Sequence, residues 1–124
     1  ENNLKKLELE DTIYFLHNIS NSELSQLYSS CIAFIYPSRY EGFGIPLIEA
    51  THHKCKIILS DIVVFKEITE NKGQYFQSTS SNDLSYNILN CVFDNNKINR
   101  YVIDKKILDK FDINYVSRLV SDLY

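Results

Sequence analysis

The chain has 124 residues, 44% hydrophobic and 23% charged, with a formal net charge of −3; that is enough for one packed domain and too little for two lobes. The acidic balance and the lack of a basic stripe argue against a general nucleic-acid binder. No run reaches the roughly 18 apolar residues of a membrane-spanning helix, and the polar opening Glu1-Asn-Asn-Leu-Lys-Lys6 is no secretory signal, so a cytoplasmic setting is expected, with peripheral membrane contact left open. Methionine is absent even at position 1, which reads as a piece of a longer polypeptide.

In chain order, Ile13-Tyr-Phe-Leu16 is a short apolar, β-favouring run and is expected to form a strand. The loop His17-Asn18-Ile19 follows, and Ser20 with Glu23 forms a capping-box pattern at a helix start. Leu24, Leu27, Tyr28 and Cys31 recur at helical spacing, and residues 32–36 read as a buried strand closed by Pro37. A helix is expected from Ile45 to about His53, a third strand over 57–59, and a short helix capped by Ser60-Asp61. Tyr75 and Phe76 make a small edge strand after the turn at Gly73. Beyond it, Leu84, Ile88, Cys91 and Val92 mark one amphipathic helix, residues 98–108 a second, and Ile113, Val116, Val120 and Leu123 a third. Strands alternating with helices predict a Rossmann-like α/β fold, a parallel sheet covered on both faces, with ligands beyond the strands' carboxyl ends.

Both prolines and two of the three glycines fall in Pro37-Ser-Arg-Tyr-Glu-Gly-Phe-Gly-Ile-Pro46, and Glu49 lies eight residues after Glu41. Glycine admits positive φ and close approach to the backbone, and proline suits a helix's first turn. The stretch therefore reads as strand end, tight loop and helix start, whose unpaired N–H groups suit a phosphate. A carboxylate can accept two neighbouring sugar hydroxyls. Glu41 and Glu49 are thus candidates to hold two ends of a nucleoside-diphosphate sugar, with the N–H groups of Gly42, Phe43, Gly44 and Ile45 between them. On these residues alone, both a ligand cradle and a plain strand-to-helix turn fit the pattern.

Cys31, Cys55 and Cys91 are odd in number and sit in apolar company, so buried free thiols are expected rather than disulfides. His52 and His53 are neighbours, which point to different sides of a helix, and no nearby set completes a metal site. Tyr28, Tyr101 and Tyr115 fit packing on helix faces, whereas Tyr40 adjoins Glu41 in the loop.

The run Tyr36-Pro-Ser-Arg-Tyr-Glu-Gly-Phe-Gly-Ile-Pro-Leu-Ile-Glu-Ala50 closely resembles the motif of the retaining, nucleotide-sugar-dependent glycosyltransferases with the two-lobed GT-B fold, called family 4 or group 1. The likeness extends upstream to Ile13 and downstream through Ser60-Asp-Ile-Val-Val-Phe-Lys-Glu-Ile68 to a closing helix from Phe111. It implies that residues 1–124 form the nucleotide-sugar-binding part of the second lobe, as a fragment of a larger enzyme that transfers a hexose to an unknown glycan, lipid or polysaccharide acceptor. It also implies that Glu41 lies beside the donor sugar, Glu49 at the ribose, Gly42, Phe43, Gly44 and Ile45 along the donor, and Asn18 and Ile19 near the base. No metal and no separate cofactor are expected, because an Arg and a Lys of the family do the charge work. Those two cations precede the matched region, so the 124 residues by themselves are expected to be inactive. Two rival readings are a non-catalytic nucleotide-sugar-binding module and an interaction domain with the same fold. The chain departs from the family at Lys54 and Lys56, where Gly and Pro are common, and a non-ideal helix end is expected near His53 and Lys54.

Overall fold

The computed structural model describes residues 6–9 and 11–93. The helices expected over 98–108 and 113–123 lie outside the described residues. The elements are α1 (Asn21–Ser30), β1 (Phe34–Tyr36), α2 (Ile45–His52), β2 (Ile57–Ser60), α3 (Val63–Ile68), β3 (Gln74–Phe76) and α4 (Ser81–Phe93). The three strands form a parallel sheet in the order β1-β2-β3, with Ile35 opposite Ile58 and Leu59 opposite Tyr75. This is the Rossmann-like α/β arrangement that the alternation of strands and helices predicts.

The central strand is buried along its whole length, as a parallel strand covered on both faces must be. Its side chains alternate. Ile57 and Leu59 join Tyr28, Leu47, Ala50, Phe65 and Ile68 in one core layer, packed by α1, α2 and α3. Ile58 points the other way, to Phe76 and Cys91, with Leu84 and Ile88 of α4 closing over them. Val92, expected on that inner face of α4, is exposed; the buried polar residue there is Asn87, whose Oδ1 accepts a 2.6 Å hydrogen bond from Gln74 Nε2 and so ties α4 to β3.

The capping box forms as its spacing requires. Glu23 N–H donates to Ser20 Oγ at 3.3 Å, and Ser20 N–H donates to Glu23 Oε2 at 2.7 Å. The hydrogen bond from the Ser20 backbone holds the Glu23 carboxyl below the usual carboxylate range.

Three further expectations are corrected. Residues 13–16 form no strand; their side chains are exposed, Tyr14 to 77%. No described strand pairs with them, and an isolated strand has nothing to satisfy its backbone or cover its apolar side. The α3 cap is Ile62, with no side-chain hydrogen bond. Ser60 instead ends β2 and its Oγ donates to the Tyr36 carbonyl at 3.3 Å, while Asp61 meets Lys66 Nζ at 3.4 Å. Finally, none of the three cysteines is in a disulfide, but only Cys55 and Cys91 are buried; Cys31 is exposed at the end of α1.

The expected irregular end of α2 is present. Lys54 takes a left-handed conformation with φ 57°. The Lys54 N–H donates to the Thr51 carbonyl and the Cys55 N–H to the Ala50 carbonyl, each at 3.0 Å. This is the paired pattern of a Schellman turn, in which the left-handed position favours glycine.

Candidate functional site

The glycine loop leaves the carboxyl end of β1 and enters α2, at the rim where ligands of open parallel sheets bind. Gly44 is the N-cap, with φ 70° and ψ 45°. A Cβ there would lie 3.2 Å from Phe65 Cε1 and 3.7 Å from Ile68 Cδ1, so both the backbone angle and the packing of α3 require glycine. Gly42 differs: its φ is not positive, and nothing lies within 4 Å of the position of an added Cβ. Among the described residues the amides of Gly42, Gly44 and Ile45 donate no hydrogen bond. Pro46 stands in the first turn of α2, where its missing N–H costs nothing. Gly44 is buried, and Gly42, Phe43 and Ile45 are exposed.

Each acid has a tyrosine beside it. The Tyr28 hydroxyl donates to Glu49 Oε2 at 3.2 Å, and the Tyr36 phenol lies within the influence of the Glu41 carboxylate. Burial, then the charge and hydrogen bond of Glu49, push the Tyr28 phenol up to about 12. Burial, then the hydrogen bond and charge of Glu41, push the Tyr36 phenol up to about 12 as well. Both phenols therefore stay protonated at neutral pH, and the Tyr28 hydroxyl commits one oxygen of Glu49.

These tyrosines belong to one aromatic row. His53 stacks on Tyr28 with centroids 5.7 Å apart, Tyr28 meets Phe34 edge-on at 5.5 Å, Phe34 meets Tyr36 at 5.5 Å, and Tyr36 meets Phe65 at 4.9 Å. The row runs along β1 from the end of α2 to α3 and packs on the core layer beneath α1, α2 and α3. Its far end is fixed by polar contacts: His53 Nε2 and Nδ1 lie 3.3 and 3.1 Å from the Ser25 and Ser29 hydroxyls of α1.

Beside Glu41 opens a cleft of about 380 Å³, lined by Arg39, Tyr40, Glu41, Asp61, Ile62, Val63 and Val64. It lies between the loops that follow β1 and β2. Glu49 does not line it. Asn18 and Ile19 precede α1: Asn18 is exposed with φ 53°, Ile19 is half-buried, and no hydrogen bond joins Asn18 to either glutamate among the described residues.

Sequence reasoning placed Tyr28 on a packing face and assigned Tyr36 to a strand, and so missed both as neighbours of the acids. The available signal was chemical: a tyrosine in a buried position carries a hydroxyl that needs a partner.

The family model described as glycosyl transferases group 1 matches residues 1–107. A stretch of 69 residues is 51% identical to the O-antigen chain mannosyltransferase RfbU of Salmonella typhimurium, covering 56% of this chain and 20% of that protein. A stretch of 78 residues is 41% identical to the serotype-specific mannosyltransferase WbdA of Escherichia coli, covering 63% of this chain and 10% of that protein. Another, of 85 residues, is 29% identical to O-antigen chain mannosyltransferase B of Escherichia coli, covering 68% of this chain and 22% of that protein. The chain thus spans about a fifth or less of the length of these relatives. With 107 of its residues matched by one family model, the chain belongs to the glycosyl transferases group 1 family.

Proposed function

We propose that these residues form the donor-binding part of a retaining glycosyltransferase of the two-lobed GT-B, family 4 kind, which transfers a hexose from a nucleoside-diphosphate sugar to a glycan, lipid or polysaccharide acceptor. The mannosyltransferase names of the relatives make mannose the first sugar to test. In this reading Glu41 orients the transferred sugar through its hydroxyls, and Glu49 accepts from the ribose. The amides of Gly42, Phe43, Gly44 and Ile45 lie along the diphosphate and sugar, and Asn18 and Ile19 stand toward the base. Charge on the leaving diphosphate is met by cations of the whole enzyme and by no metal.

The observation that carries the reading is a glycine loop whose first glycine faces open space, flanked by two acids, one held by the buried Tyr28 and the other beside Tyr36. A purely structural turn needs neither the open glycine nor a buried phenol that fixes a carboxylate at the surface. Calorimetric titration of the full-length protein with uridine, guanosine and adenosine diphosphates and their sugars tests it. One donor should bind, and Glu49→Ala should weaken it by about 1 to 3 kcal/mol, the scale of lost charged hydrogen bonds. Failure of every nucleotide to bind would leave an interaction domain; binding without transfer would leave a non-catalytic module.

A further inference from the structure

We infer that Cys31 and Cys55 form an oxidation site, a thiol pair that closes to an intramolecular disulfide on exposure to a low-molecular-weight disulfide such as oxidised glutathione. The inference is independent of the sugar-transfer reading. Cys31 Sγ lies 3.7 Å from Cys55 Sγ, across 24 positions of sequence. Both sulfurs face one oxygen: the Tyr28 carbonyl lies 2.9 Å from Cys55 Sγ and 3.4 Å from Cys31 Sγ. The side chains therefore converge already, and a disulfide bond of about 2.05 Å asks the sulfurs to close by less than about 2 Å.

Accessibility divides the labour. Cys31, at the C-terminal end of α1, is exposed, whereas Cys55, just before β2, is 3% exposed. An exposed thiol can meet a bulky disulfide, and a buried one beside it can only resolve what forms there. In the first step the Cys31 thiolate attacks one sulfur of oxidised glutathione, giving a mixed disulfide and releasing one glutathione thiolate. In the second, the Cys55 thiolate attacks Cys31 Sγ and expels the other. Two protein thiols are oxidised, one glutathione disulfide is reduced to two thiols, and the two protons pass to them. Cys91 packs against Ile58 and Phe76 in the core layer on the other face of the sheet. The modification would fall at the backbone of Tyr28, the residue whose hydroxyl holds Glu49.

The test treats the folded, reduced full-length protein with oxidised glutathione in mildly alkaline buffer, then maps peptides without reduction after alkylating the remaining thiols. The expected product joins the Cys31 and Cys55 peptides with the loss of two hydrogens, leaves Cys91 alkylated, and melts at a higher temperature until dithiothreitol restores the original value. Cys55→Ala should stop at a stable mixed disulfide on Cys31, and Cys31→Ser should leave Cys55 unmodified. A wild-type protein that accumulates glutathione on Cys31 while Cys55 stays alkylatable, or that reacts first at Cys91 or not at all, would overturn the inference. Should Cys55→Ala fail to fold, the wild-type map and the Cys31→Ser control still decide it.

Discussion

The two ends of α2 present the same backbone problem with opposite residues. At its entry Gly44 takes φ 70°, and at its exit Lys54 takes φ 57°. Left-handed backbone costs a residue with a Cβ roughly 1 to 2 kcal/mol. The entry avoids that cost with glycine, and it also uses the absent side chain to let the Phe65 ring of α3 pack within 3.2 Å of where a Cβ would be. The exit accepts the cost, because the exposed Lys54 side chain meets no packing constraint that glycine would relieve. The contrast teaches that the glycine loop is shaped by its surroundings, whereas the helix end is merely tolerated.

Gly44→Ala attacks the constrained end and has the largest expected effect. Left-handed strain and the collision with the Phe65 ring together should destabilise the fold by about 2 kcal/mol. A drop of several degrees in melting temperature is expected, and an unchanged value would remove the distinction between the two ends.

The tyrosine pairs carry the same comparison to the acids. Tyr36 stands beside Glu41 before the helix, and Tyr28 donates to Glu49 within it. Tyr28→Phe should cost about 1 kcal/mol, one hydrogen bond to a charged acceptor that stays partly solvated, and Tyr36→Phe should cost less. Alkaline titration reads the pairs directly. Each phenol is raised from 10.0 to about 12 in the folded protein. The folded state therefore keeps protons that the unfolded chain gives up, so this stability is intact below pH 10 and is lost as the pH climbs toward 12. Followed by ultraviolet absorbance, each Phe variant should delete one late-titrating phenol; tyrosines that all ionise together near 10 would show that neither pair forms.

Lys54→Gly relieves the tolerated end and should stabilise the protein by about 0.5 to 1 kcal/mol, with the gain limited by the added freedom of glycine in the unfolded chain. Denaturant unfolding measures it. A lowered midpoint would mean that Lys54 makes a contact worth more than its strain.

What the sequence could reveal follows the range of the forces involved. The Ser20–Glu23 capping box and the helix start at Gly44 and Pro46 are set by neighbours in sequence, so they were legible; the irregular end at Lys54 was legible through the family resemblance, in which Gly is common there. The sheet followed from the alternation of strands and helices. Local chemistry misled where tertiary partners decide. Residues 13–16 have strand character but no described strand to pair with, and Ser60, which looks like a helix cap, turns its hydroxyl to the Tyr36 carbonyl. The tyrosine–glutamate pairs were hidden for the same reason: periodicity tells that Tyr28 faces inward, not that a carboxylate 21 positions later lies above its hydroxyl.

Gly42→Ala carries the smallest expected effect on stability and the most specific consequence for function. No atom lies within 4 Å of the added methyl group, and the backbone at Gly42 needs no positive φ. Stability should therefore shift by no more than about 0.5 kcal/mol, and the fold supplies no reason for glycine at this position. Close approach of a ligand to the main chain supplies one. In the full-length protein the same substitution should weaken donor binding while the melting temperature without donor stays put. A destabilised variant would return Gly42 to the fold, beside Gly44. A stable variant that binds donor as well as the wild type does would place the donor elsewhere, and the exposed side of the loop would lose its role.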